Sequence, residues 1–330
     1  MEEAITRIYI GLDGGGTHTR TLAVDATGRI LATAKSGGSS PYHNKEAKRN
    51  SHEAITAVVE NADATLADVA GLVAGFAGLD EPNDSVWAEE QTAVPGISCP
   101  RSHVNDAVIA HAGALRSQPG IIAIGGTGSI VFGVTESGRQ LRNYDFRHYA
   151  SCAARLLSYA AIYRMVVGDT QDSDRDLITQ TLEFWEVVDM NALRELAAKG
   201  FISDGDERTH RLGEMSPLVT TAALSGSPLA QAVCNDGAKE MAIGIRLLGS
   251  CFAEERIPVA LIGGAVRSEF VQSAVQKALS GDPLRRFEVV DPAFPPVIGA
   301  AMMALEQGGI ALEPAVLNSL RTSQMRFLES

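Results

Sequence analysis

An aspartate followed by three glycines stands near the start of the chain, in YIGLDGGGTHTRTLAVD (9–25). Apolar residues run up to Leu12, and Asp13 follows at once. Gly14, Gly15, Gly16 and Thr17 then form a tip before a second apolar run that ends on Asp25. A glycine tip offers backbone N–H groups with no side chains in the way, which suits phosphate oxygens. Thr17 and Thr19 add hydroxyl donors. A carboxylate at that place would repel a phosphate unless a divalent cation lay between them. Mg2+ commonly takes one or two carboxylates together with nucleotide phosphates and keeps several waters. The plainer alternative is a glycine-rich hairpin turn with a solvated aspartate.

Three further segments carry candidate chemistry. GIIAIGGTGSIVFGVTESG (120–138) repeats the pattern of strand, glycine tip and strand, with Gly126, Thr127 and Gly128 at the tip and no acid. Two such tips on paired domains can clamp one triphosphate. In ALIGGAV (260–266), Gly263 and Gly264 end an apolar run and would let a flat ring lie close to the backbone. A tight strand-to-helix turn is the alternative. In NDAVIAHAGAL (105–115), Asp106 at a helix start would be kept ionised by the N-terminal amides. Phosphoryl transfer to a hydroxyl needs such a carboxylate to orient the acceptor and take its proton. The alternative is a plain N-cap, by Asn105 or Asp106. His103 and His111 flank this segment without metal-ligand spacing and read as capping or surface residues.

Elements must position these groups. Strand character covers 5–12 and 19–25, and a third strand fits 28–37 after the DATG turn. A helix is predicted over 50–62 with Ser51 as N-cap. A buried strand follows at 69–78 and a helix at 105–115. After the second hairpin the stretch 150–255 is mostly helical, with helical spacing over 174–188 and 227–255. A strand over 257–266, a helix over 267–279, a strand over 287–292 and a helix over 295–309 complete the pattern. Gly299, Ala300, Ala301 and Ala304 make that last helix slim enough to pack close to other backbone. Strands alternating with helices define an α/β class. The echo of the two tips suggests two related domains whose hairpin tips face one cleft. The boundary falls near Gln118-Pro119-Gly120, giving 1–118 and 119–330, with a terminal helix near 310–330 able to pack back on the first domain.

With 330 residues, the chain is long enough for two full cores. Its net charge of -12 argues against nucleic acid or an anionic membrane as partner, and its 5% aromatic content offers no stacking platform. No apolar run reaches the roughly 18 residues of a membrane span. The opening MEEAITRIYIGLD puts acids first and shows no signal-peptide core. Cys99, Cys152, Cys234 and Cys251 are widely spaced and read as reduced, mostly buried thiols of a cytoplasmic protein.

In this order the segments resemble the sugar-kinase, actin and heat-shock-chaperone superfamily. IGLDGGGTHTRTLAVD is similar to its first phosphate motif, IAIGGTGSIVFG to the second and VALIGGAVRS to the adenosine motif. GFAGLDEP (75–82) and PPVIGAAMMAL (295–305) resemble its two connecting segments. Within it, the chain is most similar to the N-acetylglucosamine kinase group and its relatives, the BadF/BadG/BcrA/BcrD ATPases. The resemblance implies two actin-like (ribonuclease H-like) domains flanking an ATP cleft, with ATP and Mg2+ as cofactors. Asp13 would act on the metal through water. Gly14, Gly15, Gly16, Thr17, Gly126, Thr127 and Gly128 would hold phosphates, and Gly263 and Gly264 would lie by the adenosine. Asp106 matches the catalytic base that deprotonates the sugar 6-hydroxyl. Thr127, Asn105, Asp106 and Ser40 would line the acceptor site, and a homodimer through the second domain is implied.

Two departures affect the acceptor half. The family's GDEGS segment, whose acid contacts sugar hydroxyls, aligns with SCAAR (151–155), which has no acid. The family's asparagine after the third strand falls at Pro41, with Asn44 nearby as a substitute. Arg147 and Arg155 in the altered stretch point to an anionic acceptor. The reading is an ATP-dependent kinase of a sugar hydroxyl, most of all an amino sugar such as N-acetylglucosamine or glucosamine. Two alternatives stand beside it. One is an activator-type ATPase of a dehydratase, since SCAAR resembles a cluster-ligating KCAAG segment, although NDAVIAHAG supplies no second cysteine. The other is a non-catalytic binder of ATP or sugar.

Overall fold

The computed structural model describes residues 7–282 and 286–328, so residues 5 and 6 of the first expected strand and the last two of the terminal helix lie outside the described residues. In chain order the elements are β1 (Ile8–Gly14), β2 (His18–Asp25), β3 (Ile30–Gly37), α1 (Ala47–Asn61), β4 (Val69–Phe76), α2 (Ser85–Thr92), β5 (Arg101–Asn105) and α3 (Asp106–Leu115). There follow β6 (Gly120–Gly125), β7 (Ser129–Val134), β8 (Gln140–Arg142), α4 (Ala154–Val167), α5 (Arg175–Phe184), α6 (Met190–Ala198), α7 (Gly205–Leu224) and α8 (Pro228–Gly249). The chain ends with β9 (Arg256–Ile262), α9 (Glu269–Leu279), β10 (Arg286–Val290), α10 (Pro296–Gln307) and α11 (Pro314–Leu328).

The chain forms two compact units, one of Met1–Gln118 with Pro292–Ser330 and one of Pro119–Asp291. In the first, the sheet order is β3-β2-β1-β4-β5, with β1 antiparallel to β2 and parallel to β4. In the second, the order read from the other edge is β8-β7-β6-β9-β10, again with an antiparallel hairpin (β6, β7) and a parallel neighbour (β9). The two sheets therefore share one connectivity, which is the structural content of the echo between the two glycine tips.

The first sheet is covered on both faces, so its central strand is apolar at successive positions rather than alternating with polar ones. Ile8, Ile10 and Leu12 of β1 join Ile55, Val58 and Val59 of α1 in one core. Tyr9 turns to the other face and joins Ile298, Ala301 and Leu305 of α10. That helix comes very close. A Cβ at Gly11 would stand 2.4 Å from Ala301 N, and one at Gly299 would stand 2.0 Å from Ile109 O. Only glycine permits both approaches. This close packing corrects the expected second domain of 119–330, because the helix over 295–309 completes the first unit.

Two local expectations also change. Helix α1 begins at Ala47, four residues before Ser51, and is flanked by Glu46. Ser51 lies buried inside it and donates to Gln91 Oε1 at 2.6 Å. His111 is buried within α3 instead of lying at the surface, and His103 is half-buried with Nε2 2.7 Å from Thr92 Oγ1. Among the described residues no helix is long and apolar enough to cross a membrane.

Candidate active site

In the first unit the expected residues meet at the carboxyl ends of parallel strands, where open α/β sheets place ligands. Gly14 of β1 pairs with Phe76 of β4, and Phe76 pairs with Asn105 of β5. Asp13, the glycine tip, Asn105 and Asp106 thus share one end of the sheet. Asn105 is extended and caps α3, its Oδ1 accepting from Ala107 N–H at 2.9 Å. Asp106 follows in the first helical turn.

Both carboxylates are partly buried. Burial pushes the Asp13 carboxyl up to about 6, with Arg20 opposing the shift and Asp106 adding to it. Burial likewise raises Asp106, and Asp80 adds to that rise. The guanidinium of Arg20, directly opposite Asp13 across the hairpin, approaches to 3.8 Å. Sequence reading missed Arg20. Its signal was the symmetry of positions 13 and 20 about the tip, which puts both side chains on one face.

The two tips are built alike. In the first, Gly15 N–H closes the turn on His18 O at 2.9 Å. In the second, Gly126 N–H closes on Gly128 O at 3.0 Å. The N–H groups of Gly16 and Thr17, and of Thr127 and Gly128, enter no hydrogen bond within the described residues. Two successive unspent amides at a tip form an anion-binding concavity. A Cβ at Gly126 or Gly128 would meet nothing within 4 Å, and neither has positive φ, so the fold does not demand glycine there. Gly14 differs, since a Cβ would strike Ser39 Oγ and Phe76. Thr19 also differs from expectation. It is buried, and its hydroxyl is spent on Gly37 O at 2.7 Å.

The fit of a cation rests on Asp13 and the unspent amides. Among the described residues no group of three or more metal-ligating side chains occurs. A single buried carboxylate beside a phosphate-sized amide tip fits an ion that takes most of its remaining ligands from phosphates and water. Asp13 would hold it, and the ion would offset the cost of the buried charge.

That cost is measurable in the free chain. The Asp13 carboxyl has an ordinary value near 4 and sits near 6 when folded. A raised carboxyl binds its proton more tightly in the folded chain, so the contribution of Asp13 to stability is fully present below about pH 4 and is lost as pH rises through 6. Asp13→Asn removes the buried charge. Thermal unfolding at pH 7.5 is expected to show the variant more stable by on the order of 2 kcal/mol, with no gain below pH 4. Equal stability at both pH values would contradict the burial cost.

In the second unit three expected segments come together. Gly125 O accepts from Ala265 N–H at 3.0 Å and Val266 N–H at 3.2 Å, which ties the second tip to the Gly263-Gly264 turn. Gly126 O accepts from Ala154 N–H at 2.8 Å, which ties it to SCAAR. Gly263 has φ +100, and a Cβ there would stand 2.5 Å from Gly125 O, so the tie itself requires glycine. At Gly264 a Cβ would meet nothing within 4 Å. Cys152 is buried in the core, and burial pushes its thiol up to about 12. Such a thiol is a poor cluster ligand, because thiolate is the ligating form. Arg155 sits in the uncapped first turn of α4 and Arg147 is exposed with φ +57, and neither forms an ion pair among the described residues.

Ser40 is buried, with its hydroxyl near Gly78. Asn44 accepts from Glu46 N–H at 2.9 Å with Oδ1.

Known proteins share these features. Over 323 residues, 90% of this chain and 98% of the relative, the sequence is 26% identical to the N-acetyl-D-glucosamine kinase of Dictyostelium discoideum. Over 144 residues it is 31% identical to the N-acetylmuramic acid/N-acetylglucosamine kinase of Clostridium acetobutylicum, covering 43% of this chain and 47% of that one. The fold is similar to the crystal structure of a candidate N-acetylglucosamine kinase from Chromobacterium violaceum, with TM-score 0.69, 23% identity and coverage of 92% of this chain and 100% of that one. This likeness shows that the two units have the actin-like fold. The two glycine tips and the Gly263-Gly264 turn fall within residues 10–304, over which the chain matches, and so belongs to, the BadF/BadG/BcrA/BcrD ATPase family.

Proposed function

We propose that the chain is an ATP-dependent kinase that transfers a phosphoryl group to a hydroxyl of a sugar, with an amino sugar such as N-acetylglucosamine or glucosamine as acceptor. The observation that carries this reading is Asp106, held in the first turn of α3 at the same sheet end as Asp13 and its amide tip. Both curated relatives are named as kinases of N-acetylated sugars.

Asp106 orients the acceptor hydroxyl and takes its proton as the oxygen bonds to the γ-phosphorus. The bond to the bridging oxygen breaks, and ADP leaves with that electron pair. The amides of Gly16, Thr17, Thr127 and Gly128 hold phosphate oxygens. Mg2+, when bound, supplies positive charge to the phosphates, with Asp13 as its protein-side contact through water. Gly264 leaves room for the adenosine. Phosphoryl transfer makes few covalent demands on a protein, so positioning of this kind carries most of the catalysis.

The acceptor's charge is open to a second reading. Cys152 and Ala153 are buried and offer no polar side chain, whereas Arg155 brings an unpaired cation to the start of α4. A cation is unfavourable in a first helical turn unless an anion offsets it. That favours an amino sugar bearing a carboxylate. The test is ADP release across glucosamine, N-acetylglucosamine, N-acetylmuramic acid, glucose and gluconate. An amino sugar is expected to raise ADP release well above background. If none of the five does, the kinase reading fails.

A further inference from the structure

Asn105 has one acceptor oxygen and one amide group that only donates. Capping α3 consumes the oxygen, so the amide end must find acceptors elsewhere. It donates to Asp80 Oδ1 at 3.1 Å and to Leu79 O at 3.5 Å. Asp80 is exposed, on the loop after β4, and an exposed side chain on a free loop would cost entropy to hold in place. The loop is not free. Asp84, only 6% exposed, accepts from Asp80 N–H at 3.0 Å and Glu81 N–H at 2.8 Å with Oδ2. Its Oδ1 accepts from the Tyr42 hydroxyl at 2.6 Å and Trp87 Nε1 at 3.1 Å. Four donors on one carboxylate, the Tyr42 hydroxyl foremost, hold it ionised, its pKa down to about 2. Tyr42 also lies over Gly78, whose φ of +87 turns the loop toward Asn105.

We propose that Asp80 is a positioning residue for phosphoryl transfer. It holds Asn105, and through Asn105 the first turn of α3 that carries Asp106, while Asp84 anchors the loop that presents it. The inference rests on the kinase reading above. It gives a role to a residue of the GFAGLDEP segment, joined by two hydrogen bonds through Asn105 to Ala107, the neighbour of Asp106.

Two substitutions separate the hydrogen bond from charge and from plain stability. Asp80→Ala removes the acceptor, and Asp80→Asn keeps an oxygen at the same place. With the most active sugar of the panel, Asp80→Ala is expected to lower kcat about 10- to 100-fold, the scale of a small misplacement of a reacting group. KM for ATP should stay within about twofold, and Asp80→Asn should recover kcat to within about threefold of the parent chain. In an Asn105→Ala background, Asp80→Ala should cost nothing further, because its effect passes through Asn105. Thermal unfolding is read alongside. A kcat loss that follows a loss of folded protein equally in both Asp80 variants assigns a structural role and overturns the proposal. So does an Asp80→Asn variant as slow as Asp80→Ala, or an Asp80→Ala variant as fast as the parent. If the parent chain phosphorylates no sugar, the kinase reading falls and takes this inference with it. An active parent with an indifferent Asp80 sinks the inference alone.

Discussion

Asp106→Asn is expected to lower phosphoryl transfer about 10²- to 10⁴-fold, the range lost when a general base is removed. The amide keeps the shape of the carboxylate and cannot take the acceptor's proton. ATP affinity should hold within about twofold, because the amide tips and Asp13 are untouched. Helix α3 should keep its stability, since Asn105 provides its cap. The parent chain should lose activity as pH falls through the Asp106 value, which burial raises above the ordinary carboxylate range. In the variant that acid limb should vanish. A loss of less than about tenfold would remove Asp106 from the role of base.

The second large effect contrasts two glycines of the second unit. A Cβ at Gly128 meets no protein atom within 4 Å and needs no unusual backbone angle, so Gly128→Val should fold as the parent does. Its branched side chain would cover the unspent N–H groups of Thr127 and Gly128. A hydrogen bond to a charged group is worth about 1.5–3 kcal/mol, so losing one or two should weaken ATP binding about 10- to 100-fold or more. Gly263→Ala should do the reverse at the level of the fold. Its Cβ would press on Gly125 O at 2.5 Å, in a left-handed backbone that penalises any side chain. Calorimetric titration with ATP, paired with thermal unfolding, checks both. A Gly128→Val chain that binds ATP like the parent would take the second tip out of phosphate binding.

Sequence made the glycine tips and the proposed base legible because each lies within a few consecutive residues. The tip between β1 and β2, the tip between β6 and β7 and the Asn105-Asp106 pair all announce themselves by local pattern. The repeated sheet order follows from the same locality, since each unit begins with the hairpin that carries its tip. What escaped was non-local. Helix α10 returns to the first unit after the whole second one has been built, and only the match of Gly11 with Ala301 reveals it. Thr19 looked like a phosphate donor until β3 brought Gly37 O to its hydroxyl. Tyr42 and Asp84 are 42 residues apart, and Asp80 and Asn105 are 25 apart, so no window of sequence joins them. The missing acid at 151–155 was legible as an absence, but the burial of Cys152 and Ala153 between an exposed Ser151 and Arg155 was not.

The central claim is that the γ-phosphoryl group ends on a sugar. The direct measurement is the fate of the label when the chain is incubated with γ-labelled ATP, Mg2+ and each sugar of the panel. Label is expected in a sugar phosphate, in one-to-one ratio with ADP, and Asp106→Asn should abolish it. Label found only in inorganic phosphate, at a rate that no sugar changes, would contradict the account and mark the chain as an ATPase.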